Sequence, residues 1–89
     1  MPIISMFYGI IVMMYYFDNR KHHLPHIHIK YQGKEAVFSL ENGAVLDGEV
    51  PNKQRKLVEA WIEIHKEELV ANWELAVNGE KIFSIDPLK

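Results

Sequence analysis

From Ile3 to Phe17 the chain runs fifteen residues without a formal charge, and whatever fold it adopts must take most of that stretch out of water. Phe7 to Phe17 is dense in aromatic and β-branched side chains (Phe7, Tyr8, Ile10, Ile11, Val12, Tyr15, Tyr16, Phe17), which favours one long strand over a helix. Alternating positions then form two faces, Phe7-Gly9-Ile11-Met13-Tyr15-Phe17 and Tyr8-Ile10-Val12-Met14-Tyr16. Both are apolar, so both need cover. One cover is expected from a helix of the same chain. The other is expected from a second copy in a homodimer or from a small partner protein, because 89 residues leave little else to put there. A membrane-spanning helix needs roughly 20 apolar residues, and Gly9 interrupts this shorter run. A signal peptide would need a basic start and a small-residue cleavage site. A cytoplasmic protein with no membrane partner is therefore expected.

The rest of the chain supplies a sheet and a helix. Asp18 to Leu24 reads as a polar loop, and Pro25 marks the entry to a strand at His26 to Tyr31. Gln32-Gly33 signals a turn, Glu35 to Leu40 a third strand, Asn42-Gly43 a hairpin, and Ala44 to Glu49 a fourth strand. Pro51 opens one helix of about 27 residues that Asn78-Gly79 closes. At about 100° per residue, Leu57, Val58, Trp61, Ile62, Leu69, Trp73 and Ala76 share one face of it. That phase continues throughout, although a break near Lys66-Glu67 is compatible with so small a domain. Lys81 to Ile85 can add a short last strand. The expected fold is α+β, an antiparallel sheet of four to five strands packed by one long C-terminal helix. Residues 1–89 are expected to form a single domain.

The absence of cysteine excludes a disulfide framework, a thiolate zinc site and a cysteine nucleophile together. A net charge of −2 disfavours a constitutive nucleic-acid binder. The charge is nevertheless polarised along the chain. Asn19 to Lys34 contains no acid, only Arg20, Lys21, Lys30 and Lys34 with four of the five histidines, while carboxylates dominate from Glu35 onward.

His26 and His28 flank Ile27 on the second predicted strand, so their imidazoles point to one side, with Lys30 next on that side. His22 and His23 lie in the preceding loop, within reach of the same face. Two chemistries want such a cluster. In metal-independent RNA cleavage, His26 and His28 act as base and acid, Lys30 supplies charge and His23 contacts phosphate. In a metal site, His22, His23, His26 and His28 bind a divalent transition metal, with Asp18 or Glu35 completing the shell. The competing structural reading gives these rings solvent or backbone partners and no chemistry. His65 falls within the helix's apolar stripe, between Trp61 and Leu69. A buried imidazole there needs a hydrogen bond, expected from the sheet, and by reaching His26 and His28 it would orient one of them. A non-catalytic module that binds a neighbouring protein through the first strand, as an antitoxin or regulator would, is the third reading.

Pro2-Ile3-Ile4-Ser5-Met6-Phe7-Tyr8-Gly9-Ile10-Ile11-Val12, the core His23-Leu24-Pro25-His26-Ile27-His28, Glu35-Ala36-Val37 and the later Trp61, His65, Glu68-Leu69 and Asn72-Trp73 resemble a bacterial family of small proteins known as domain of unknown function 4160. The resemblance covers nearly the whole chain. It carries over His23, His26 and His28 best, and His65 next. It implies a gene standing beside a second small gene, and hence a toxin–antitoxin-type module with a small partner protein; joined to the histidine cluster, this gives the expectation of a toxin-like component acting on RNA.

Overall fold

A computed structural model describes residues 3–15 and 24–88. Five strands form one antiparallel sheet in chain order, β1 (Ile3–Phe7), β2 (Ile10–Met13), β3 (His26–Tyr31), β4 (Lys34–Ser39) and β5 (Val45–Gly48). Two helices follow, α1 (Asn52–Ile64) and α2 (Lys66–Val77). The α+β class and the antiparallel sheet agree with the expectation. Three elements do not.

The long first strand is a hairpin. Phe7 pairs with Ile10, so Tyr8 and Gly9 form a two-residue turn with φ values of 49° and 78°. This left-handed pair matches the twist of the flanking strands. Gly9 adopts it without strain, whereas Tyr8 must tolerate a region unfavourable to bulky residues. The apolar run hid the turn because its side chains reach the core from either arm. Gln32 and Gly33 repeat the geometry between β3 and β4.

The single long helix is two helices. His65, at φ −109° and ψ 22°, leaves helical geometry between them. The apolar stripe survives the break: Val58, Trp61, Ile62, Leu69, Trp73 and Ala76 are all buried. A kink changes direction without moving these residues out of the core, so periodicity alone did not reveal it. The expected strand at Lys81 to Ile85 is an extended tail instead. It is held by the Ile85 amide donating to the Ile4 carbonyl, and by Asn72, whose side chain donates to the Phe83 carbonyl and accepts from the Phe83 amide. The buried Trp61 indole donates to the Asp86 carbonyl at 2.8 Å, meeting the requirement that a buried indole N–H find an acceptor.

Strand pairing sorts the sheet into two faces. Val12, Ile29 and Ala36 align across one face, as do Phe7 with Ile10 and Ile27 with Phe38. All belong to the core that includes Trp61, Ile62 and Leu69. Phe7 lies against Trp61 with ring centroids 5.3 Å apart. The opposite, outer face carries Met6, Ile11, Lys30 and Glu35 in one row, and Met13, His28, Val37 and Asp47 in the next. Among the described residues no helix is long and apolar enough to cross a membrane.

Candidate functional site on the outer face of the sheet

The two-residue turn at Gln32-Gly33 fixes the register of β3 against β4, setting Lys30 opposite Glu35 and His28 opposite Val37. Glu35 is therefore a diagonal neighbour of His28 on the same face, a spacing of about 7–8 Å between backbones. A bulge between Val37 and Phe38 then sets Asp47 opposite Val37, as bulges commonly re-aim side chains. Close approach of β5 to β4 depends on Gly48, at φ 72°, because a Cβ there would collide with the Glu35 carbonyl. The Asp47 carboxylate accepts the Gly48 amide at 2.9 Å. Together these strands form a cleft of ≈ 240 Å³, with Tyr15, His28, Glu35 and Asp47 as its polar lining and Met13 and Val37 as apolar walls.

His28 is half-buried. Tyr15 packs edge-on against its ring at 4.4 Å between centroids, and His26 approaches at 5.3 Å. Tyr15 is also tied to Met13, its hydroxyl 3.8 Å from the Met13 sulfur. His26 is a different kind of residue. It is 1% exposed, its ring rests against Trp73 of α2 at 4.7 Å, and its Nδ1 lies 2.8 Å from the Leu24 carbonyl. A carbonyl only accepts, so Nδ1 carries the proton and this contact fixes the tautomer. Four rings, Trp73, His26, His28 and Tyr15, thus run in succession from α2 to the cleft.

The predicted alignment of His26, His28 and Lys30 on one side of a strand is present, and His26 and His28 are brought together. Only His28 lines the cleft; Lys30 is exposed beside it, in the Glu35 row. His26 is buried with its ring against Trp73 and does not line the cleft. His22, His23 and Asp18 lie outside the described residues. Among the described residues no three histidine or carboxylate side chains are grouped to hold a metal ion.

His65 finds its partner on its own helix rather than on the sheet. Its Nδ1 meets Glu68 Oε1 at 2.8 Å, and its ring lies 5.5 Å from that of Trp61. Sitting at the break between helices, it reaches a side chain one turn ahead, which removes the need for a hydrogen bond from the sheet. Glu35 entered the sequence reading only as a completing metal ligand; the Gln-Gly turn was the signal that would have aligned it with His28. Asp47 and Tyr15 were missed as cleft residues. Asp47 depends on a bulge that no local pattern announces, and Tyr15 on the course of the chain beyond β2.

A family profile described as "Domain of unknown function (DUF4160)" matches residues 9–74, from the first hairpin turn into α2, and so takes in every residue of the cleft. No curated protein and no solved structure matches the chain.

Proposed function

The chain belongs to the DUF4160 family, whose description assigns no chemistry, and from that premise we propose that it is a metal-independent ribonuclease of the toxin-like kind, working in the cytoplasm with its active centre in the outer-face cleft. The observation that carries the reading is that an imidazole and a carboxylate, His28 and Glu35, share one small cleft on a rigid sheet, with the Lys30 ammonium in the Glu35 row. This departs from a two-histidine mechanism. Glu35 takes the base role, and His26 becomes a positioning residue behind His28.

In the proposed step Glu35 accepts the proton of a ribose 2′-hydroxyl as that oxygen attacks the adjacent phosphorus. The bond from phosphorus to the 5′-oxygen breaks, and protonated His28 donates its proton to the departing oxygen. The products are a 2′,3′-cyclic phosphate and a free 5′-hydroxyl. Lys30 offsets charge developing on the non-bridging oxygens, the usual place for a cation in such a transition state. The sequence from Asn19 to Lys34 carries no acid, and its positive charge favours a phosphate chain as ligand.

Incubation of tag-free protein with total RNA, with and without EDTA, tests the reading. Cleavage that survives EDTA and falls about 10²–10⁴-fold in both His28→Ala and Glu35→Gln is expected, the range for loss of a general acid or base. Growth arrest on expression, relieved by the same substitutions, is the expected cellular counterpart. Wild-type protein that leaves RNA intact would sink the proposal.

A second reading, a non-catalytic protein-binding module, is favoured by β1. Ile3, Met6 and Tyr8 are 48%, 61% and 60% exposed on this edge strand and its turn, so a homodimer mate or small partner protein remains the proposed cover there. Intact RNA together with a stable dimer in sedimentation, abolished by Met6→Ser, would move the assignment to that reading.

A further inference from the structure

A second concavity lies away from the sheet, where α1 gives way to α2. It is a groove of ≈ 720 Å³ built from residues 63–68, 70, 71 and 74. It spans the break at His65. Ile64 is 66% exposed there, and Val70 is 36% exposed. Neither belongs to the buried stripe, and both line the groove. The charged rim is net acidic, four glutamates against the one lysine, Lys66. Glu63, Glu67 and Glu74 are exposed, Glu68 is engaged with His65, and the Lys66 ammonium donates to the Glu41 carbonyl of the β4–β5 connection at 2.6 Å.

We propose that this groove docks a cationic amphipathic segment of a partner protein. Apolar side chains of such a segment cover Ile64 and Val70, and its lysines or arginines meet Glu63, Glu67 and Glu74, the arrangement by which amphipathic helices enter grooves elsewhere. Charge selects the occupant. A nucleic acid or an anionic membrane is repelled by the same carboxylates, and an uncharged apolar segment would desolvate them without compensation. The groove shares no residue with the cleft, so the inference stands independently of the proposed RNA chemistry.

The test is a titration of ¹⁵N-labelled full-length protein with two synthetic helix-forming peptides of matched length, one built of leucine and lysine, the other of leucine and glutamate. The lysine peptide is expected to shift amide resonances from Glu63 to Glu74, and the glutamate peptide to leave them unmoved. Ile64→Ser should weaken binding about tenfold, as for a central anchor, and Glu63→Gln/Glu67→Gln should weaken it and flatten its salt dependence. Both substitutions are at exposed positions, and unchanged resonances of the sheet would confirm that the variants fold. Equal response to the two peptides, shifts centred outside residues 63–74, no binding of the lysine peptide, or an Ile64→Ser variant that binds as the parent does would each overturn the proposal.

Discussion

Ile27 and Ile29 occupy one face of β3, and His26 and His28 the other; neighbours in sequence, the two pairs answer to different demands. The isoleucines are fully buried in the core between the sheet and the helices. Of the histidines, His26 is as buried as they are, yet it is held by one carbonyl and one indole, while His28 stands half-exposed at a cleft. Alternation along a strand therefore separates packing from chemistry less cleanly than a two-colour pattern implies. His26 belongs to the polar face by sequence and to the packed interior by environment.

Substitutions along β3 should grade accordingly in urea unfolding followed by tryptophan fluorescence. Ile29→Ala should cost most, about 2–5 kcal/mol, the range for a large-to-small change in a closed core. If it costs no more than the histidine substitutions, the inner face is not the packed side. His26→Ala should follow at roughly 1–3 kcal/mol, since it removes the hydrogen bond to the Leu24 carbonyl and opens space beside Trp73. A cost near zero would return His26 to the solvated side. Tyr8→Asn lies on neither face and should raise stability by about 0.5–1 kcal/mol, because asparagine accepts the left-handed turn that tyrosine resists. A loss would mean that the Tyr8 ring contributes contacts outweighing the turn. His28→Ala should be nearly silent, within about 0.5 kcal/mol, as expected of a half-exposed group whose role is in binding or catalysis. A larger loss would make His28 part of the scaffold and weaken its assignment as the acid.

Much of the sheet was legible from local chemistry. The span of β3, the Gln32-Gly33 turn and the buried stripe of the helices follow from alternation, turn residues and the 3.6-residue period. Tyr8-Gly9 escaped because its flanks are as apolar as a continuous strand, and turn propensity was outweighed by hydrophobicity on both sides. The break at His65 escaped because the stripe resumes in phase. At the site, His28 was legible and its company was not. Glu35 comes to His28 through a hairpin register and Asp47 through a bulge. Such non-local geometry appears in the sequence only as a two-residue turn and a glycine.

The tail from Glu80 to Leu88 has a consequence for the order of assembly. The Ile85 amide closes on Ile4 across 81 positions, and Asp86 satisfies the indole of Trp61. During synthesis the first hairpin emerges before anything that can complete it, and Trp61 waits for an acceptor 25 residues behind it on the ribosome. A segment made late therefore fastens one made early. The contacts with the widest sequence separation come late in the folding reaction, where loop-closure entropy makes them slow. Until then the apolar strands of the first hairpin are exposed to other chains, so the nascent protein is vulnerable to misassociation until Ile85 and Asp86 have emerged.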